Sequence, residues 1–294
     1  MKTFEGSMTA LATPFKDGAL DEAAYRALVR YQIEGGTAGL IPMGTTGEAA
    51  TMSADERARA VAVVVEEAKG RATVIAGAGS NSTAETIESV GRARDVGADA
   101  SLIVTPYYNK PTQAGLVEHY RAVARAHPGF PIVAYNVPGR TGVDLLPETM
   151  RRLCDLPEVV AIKEATGNPW RALELREKCG ERLIVLSGDD FTVLPTMACG
   201  GKGVISVSSN VAPRMMADLV AAARGGDMTR ALDLQVRLNE LHRRLFAESN
   251  PIPVKWALHL MGLFGPEVRL PLVPLSESQV PLMKAALTQL GLLK

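Results

Sequence analysis

Short apolar runs alternate with longer segments of helical period along most of the chain. The runs MTALA (8–12), GLIPMG (39–44), TVIAGAG (73–79), SLIVTP (101–106), PIVAYN (131–136), VVAIKEA (159–165), LIVLSGD (183–189) and GVISVSS (203–209) predict strands. Several are apolar at successive positions instead of alternate ones, the pattern of strands buried on both faces of a parallel sheet. They recur about every 30 residues, roughly the length of a βαβ unit. Capping boxes mark three helix starts: Ser53 with Glu56, Ser82 with Glu85, and Ser276 with Gln279. Eight β/α repeats ending near Arg224, with no break in composition, predict a (β/α)8 TIM barrel. A doubly wound open sheet is the competing arrangement. After Gly225-Gly226 the strand pattern stops, and residues 227–248, 252–262 and 276–290 read as helices, with PLVPL between the last two. The predicted organisation is a catalytic barrel over 1–224 and a C-terminal α-helical domain over 225–294.

Composition narrows the class. The 294 residues are 47% hydrophobic and 22% charged, as in an ordinary soluble globular protein. The 32 basic and 32 acidic side chains cancel, so no polycation is on offer to nucleic acid or to an anionic membrane surface. No apolar run reaches the ~18 residues of a membrane span. The opening MKTFEGSMTALATPF lacks the apolar core of a signal peptide, because Glu5 and Gly6 interrupt it. Cys154, Cys179 and Cys199 are scattered and odd in number, which suits reduced thiols and not a disulfide framework. The expectation is a soluble cytoplasmic protein.

In a barrel of this kind, function collects at the C-terminal ends of the strands. There the chain carries GTTGE (44–48), TPYYNKP (105–111), YNVPGRT (135–141), Lys163, SGDD (187–190) and SVSSN (206–210). Lys163 stands out, since an ammonium group belongs least in an apolar interior. Desolvation favours the neutral amine, the form that attacks a carbonyl carbon. The bland alternative, pairing with Glu164, is poor because adjacent strand residues face opposite sides. GTTGE reads either as a turn whose backbone N–H groups and hydroxyls grip a carboxylate or as an ordinary glycine-rich loop. Tyr135 offers a phenol for proton transfer, and Arg140 a guanidinium for a second carboxylate. Standing alone, each would read as a packed phenol or a solvated charge. Tyr107 and Tyr108 are adjacent between two prolines, so one can face a neighbouring subunit while the other packs.

Other signals point away from alternatives. GAGSNS (77–82) departs from a dinucleotide loop at Ser82, and GGKG (200–203) leads into a strand instead of a helix N-terminus. His119, His127, His242 and His259 have no zinc-ligand spacing with the cysteines, and their scarcity disfavours a Ser-His-Asp hydrolase.

Taken together, GTTGEAAT, GAGSNSTAE, TPYYNKPTQ, YNVPGRTGVDLLPE, IKEATGN, LSGDD, GVISVSSN and NPIPVKWAL resemble the dihydrodipicolinate synthase family, in unbroken order from about residue 4 onward. The resemblance implies that pyruvate forms a Schiff base on Lys163 and loses a methyl proton. The resulting enamine then attacks the aldehyde of L-aspartate 4-semialdehyde, giving 4-hydroxy-tetrahydrodipicolinate for diaminopimelate and lysine biosynthesis. The cationic imine is the electron sink, so no metal or organic cofactor is implied. Tyr135, Thr45 and Tyr108 match the family's proton relay, with Tyr108 supplied by an adjacent subunit of a homodimer or homotetramer. Thr45 and Thr46 would hold the pyruvate carboxylate, Ile205 and Gly188 would border the same site, and Arg140 would bind the semialdehyde carboxylate. Related N-acetylneuraminate lyases usually lack that arginine and read GSTGE, so GTTGE with PGR favours the synthase; a lyase acting on N-acetylneuraminate or a 2-keto-3-deoxy sugar acid is the alternative. A catalytically silent barrel that binds small carboxylates is a third reading, disfavoured by the joint presence of Lys163, Tyr135, Thr45 and Tyr108. Lysine-inhibited members bind the end product in a cleft whose walls match Ala49, Ala50, Ala54, Arg57, Asn81, Glu85 and Tyr107. Asn81, Glu85 and Tyr107 keep the pattern. Ala49 and Ala54 replace a serine and a histidine, and Arg57 replaces a histidine, which predicts weakened or absent feedback inhibition.

Overall fold

The computed structural model describes residues 4–293. Strand β1 (Gly6–Ala10) is followed by a hairpin of β2 (Phe15–Lys16) and β3 (Ala19–Leu20), then by α1 (Glu22–Glu34) and β4 (Gly39–Ile41). The alternation continues through α2 (Ala54–Ala68), β5 (Thr73–Gly77), α3 (Thr83–Asp95), β6 (Ala100–Val104), α4 (Gln113–Ala126) and β7 (Ile132–Asn136). Two short helices, α5 (Pro138–Thr141) and α6 (Pro147–Leu153), precede β8 (Val159–Glu164). Then come α7 (Trp170–Cys179), β9 (Ile184–Ser187), α8 (Val193–Ala198), β10 (Gly203–Ser206) and α9 (Pro213–Arg224). The chain ends in α10 (Met228–Leu245), α11 (Ile252–Leu260) and α12 (Val280–Gln289). The parallel strands β1 and β4 to β10 close into a barrel of eight, sealed where β1 pairs with β10. The eight predicted strands are these eight, and the open sheet is excluded. Among the described residues no helix is long and apolar enough to cross a membrane.

Strand alternation sorts side chains into two cores. Inward positions such as Met8, Ile41, Ile75, Leu102, Val133, Ala161, Leu186 and Ile205 fill the barrel, while Val159, Ile162, Val185 and Val204 pack against the helices. The predicted GLIPMG strand stops at Ile41 because Pro42 has no N–H for the ladder and Met43 adopts a left-handed φ of 58°. The β2–β3 hairpin has a clear sequence signal in KDGA. Asp17 and Gly18 both take positive φ, as a two-residue primed turn requires. The Ser53–Glu56 box forms in full at the start of α2. At α3 only half of the expected box forms: Ser82 accepts from the Glu85 amide, but the Glu85 carboxylate turns to the Ser80 hydroxyl at 2.7 Å. The third box is absent. Ser276 bonds Glu248 instead, and α12 begins only at Val280 after a 3-10 turn over Glu277–Gln279.

One buried group makes stability depend on pH. His119 on α4 is 5% exposed and pairs with Thr83 of α3 at 2.9 Å, and burial pushes its pKa down to about 4. An unfolded histidine takes a proton near pH ~6.5, so between there and 4 the unfolded chain binds more protons. Its contribution is full above pH ~6.5 and is lost as pH falls, amounting to roughly 3 kcal/mol. Burial of His242 on α10 acts in the same direction. Urea unfolding across this range should show that slope, and His119→Gln should flatten most of it.

Candidate active site

Inward parity on β8 runs Ala161, Lys163, Ala165, and β7 brings Val133, Tyr135 and Val137 alongside, with Tyr135 and Lys163 paired in register. Lys163 is 6% exposed, and its Nζ lies 4.3 Å from the centroid of the Tyr135 ring. Just past the end of β9, Gly188 supplies clearance. A Cβ there would fall 2.7 Å from Ala165 Cβ, 3.0 Å from Lys163 Cγ and 3.1 Å from Lys163 Cε. Small side chains on both sides therefore leave the lysine stem a path up the barrel axis.

Glu164 faces the other way, between sheet and helices, and is no partner for Lys163. Its carboxylate accepts from Asn136 Nδ2 at 3.0 Å and from the Thr166 amide at 2.7 Å, and burial raises its pKa. Asn136 also donates to Asp144 at 2.8 Å and accepts from the Leu145 amide at 2.9 Å, while Arg171 holds Asp144 at 2.9 Å. This network pins the segment from Val137 to Leu145, and with it α5, where Arg140 lies exposed.

The GTTGE stretch forms two successive 3-10 turns, Thr45–Gly47 and Ala49–Thr51, hinged at Glu48 with φ 54°. It comes close to β5, where a Cβ on Gly77 would lie 2.0 Å from the Met43 carbonyl oxygen, so that position admits only glycine. Thr45 is exposed at the rim; Thr46 is 2% exposed and accepts from Asn250 Nδ2 at 2.9 Å. Below the rim lies a cavity of about 340 Å³ lined by Thr45, Tyr135, Arg140, Tyr107, Arg57 and Asn250, among others. Thr45 after β4 is thus brought together with Tyr135 and Arg140, both from the end of β7. Lys163, Thr46, Gly188 and Ile205 lie outside the cavity lining, the first beneath Tyr135 and the last fully buried in the barrel core. Tyr108 points away: it is 88% exposed with φ 70°, while Tyr107 reaches the cavity. Of the expected lysine-cleft residues, Ala49, Ala50, Arg57 and Tyr107 share this cavity. Asn81 and Glu85 do not; the Asn81 carbonyl accepts from Asn109, and Glu85 from Ser80. Among the described residues no cluster of three or more His, Cys, Asp or Glu is arranged to hold a metal.

Residues 3–290 match the dihydrodipicolinate synthetase family. The chain belongs to that family. It is 57% identical to the 4-hydroxy-tetrahydrodipicolinate synthase of Anaeromyxobacter sp. (strain Fw109-5) over 99% of each chain. The 4-hydroxy-tetrahydrodipicolinate synthase of Maridesulfovibrio salexigens is 52% identical, over 99% of this chain and all of that one. The fold superimposes on the chloride-inhibited dihydrodipicolinate synthase of Acinetobacter baumannii, solved with pyruvate, with a TM-score of 0.97, 46% identity and coverage of 99% and 100%. Glu48, Asn250 and Lys255, which tie the 44–51 loop to the chain after the barrel, are not among the residues singled out from the sequence. Lys255 carries the same signal as Lys163, an amine inside the apolar run IPVKWAL.

Proposed function

We infer that the protein condenses pyruvate with L-aspartate 4-semialdehyde to give 4-hydroxy-tetrahydrodipicolinate, as a cytoplasmic Schiff-base carbon–carbon lyase. The observation that carries this is Lys163, 6% exposed, with its Nζ 4.3 Å from the centre of a tyrosine ring and its stem cleared by Gly188. The amine attacks the keto carbon of pyruvate and water leaves, forming the imine. A methyl proton is lost to give the enamine, whose carbon attacks the aldehyde; the semialdehyde's own amine then displaces Lys163 and closes the ring. Tyr135, whose ring centroid lies 4.3 Å from the amine, is the proton donor and acceptor, Thr45 and Thr46 hold the pyruvate carboxylate, and Arg140 takes that of the semialdehyde. Tyr108 completes the proton relay of a neighbouring subunit, a role its exposure supports, which makes a homodimer or homotetramer the working form. Pyruvate with borohydride should leave a stable adduct on Lys163 by mass spectrometry. A coupled assay should show turnover of the semialdehyde and none of N-acetylneuraminate. Labelling of another side chain, or no turnover of the semialdehyde, overturns the assignment.

Two further results follow from the same reading. Gly188→Ala pushes against the lysine stem, and a misplacement approaching 1 Å should slow adduct formation by about a hundredfold. An unchanged trapping rate would show that the stem has room to spare. Lysine added to the coupled assay should inhibit weakly or not at all, because Arg57 lines the cavity beside Ala49 and Ala50 and its positive charge disfavours the lysine ammonium. Half-inhibition in the sub-millimolar range would contradict this.

A further inference from the structure

We propose that the buried ion pair between Glu48 and Lys255 is a positioning latch, holding the 44–51 loop in the shape that presents Thr45 and Thr46 to the keto-acid carboxylate. The inference rests on the function proposed above and makes the C-terminal helices part of the substrate site.

Lys255 Nζ meets Glu48 Oε1 at 2.5 Å, with side chains 0% and 1% exposed. The other carboxylate oxygen accepts from the Arg269 amide at 2.9 Å. The ammonium of Lys255 and the guanidinium of Arg269 each lie 4.3 Å from the centroid of the Phe15 ring. An apolar pair of similar volume would avoid the desolvation cost of two buried charges, so stability alone does not explain the arrangement. The backbone adds to the argument. Glu48 takes φ 54°, a conformation that favours glycine, so a side chain is kept at a strained position. The loop consists of two 3-10 turns, which hold their shape poorly unaided. Each turn is tied from outside: Thr46 Oγ1 to Asn250 at 2.9 Å, the Gly47 carbonyl to Thr13 at 2.8 Å, and the Thr51 carbonyl to Arg269 at 3.0 Å. Glu48 sits at the hinge between the two turns, and two of these three ties also run to the segment after the barrel. Fixing the N–H groups and hydroxyls before the ligand arrives is what an anion cradle requires.

The test compares Lys255→Met, Glu48→Gln/Lys255→Met and the parent in reductive trapping of pyruvate on Lys163. Half-saturating pyruvate should rise about tenfold or more in Lys255→Met, a loss of roughly 1.4 kcal/mol. In steady state KM for pyruvate should change more than kcat. The double variant buries no unpaired charge and should recover thermal stability while its half-saturation stays raised. A double variant that binds pyruvate like the parent overturns the latch, since the pair would then serve folding alone. Should Lys255→Met fail to fold, amide exchange in the parent decides: the hydrogen-bonded amides of Gly47 and Glu48 must be as protected as the barrel strands, and exchange as fast as that of 107–110 overturns the proposal. An absent adduct in the parent would refute the proposed function while leaving the exchange test of the latch intact.

Discussion

Lys163→Ala should lower turnover of the semialdehyde by at least about a thousandfold, equivalent to roughly 4 kcal/mol of transition-state stabilisation. Without the amine there is no imine, and without the imine no electron sink makes the pyruvate methyl acidic. The substitution is informative because it should leave the fold intact. The Lys163 stem is flanked by Ala165 and Gly188, and Ala161 on the same inward face is small as well. Burying a polar amine costs free energy, so the thermal midpoint should hold or rise without it. Parent-like turnover, or a borohydride adduct elsewhere on the variant, would remove the chemical basis of the assignment.

Tyr135→Phe should cost about 10²–10⁴ in kcat, the range for loss of a positioned general acid–base group. It removes one oxygen and keeps the ring that packs over the amine, so the barrel core and the path of Lys163 are preserved. Half-saturating pyruvate in the trapping experiment should therefore move much less than kcat. A variant with full kcat would show that proton transfer runs through another group. A variant with kcat and trapping equally impaired would show that the hydroxyl acts before the imine forms.

The barrel was legible in the chain because parallel strands buried on both faces must be apolar at successive positions, and eight such runs recur at one period. Lys163 was legible as a charge where none is expected. Lys255 carries that same contradiction, but the rule that sends function to strand ends points away from a helix after the barrel. Its meaning appears only when Glu48, distant in sequence, is seen beside it. The cap expected at Ser276 failed for a similar reason: Glu248, on another segment, outbid the local partner for the hydroxyl. Convergence of Thr45, Tyr135 and Arg140 on one cavity depends on barrel closure, which spacing along the chain does not encode. The expected lysine cleft divides, with Ala50 and Tyr107 on the cavity and Asn81 and Glu85 away from it, where the Asn81 carbonyl accepts from Asn109 and the Glu85 carboxylate from Ser80.

Contacts from Asn250 to Thr46, from Lys255 to Glu48 and from Arg269 to Glu56 all cross the place where the strands give way to helices. Chimeras spliced near Gly225 from two relatives would therefore mix halves of one machine, however well each half is packed by itself. Successful recombination of such genes demands that the crossover keep these partners on matching parental alleles, or that both be exchanged at once.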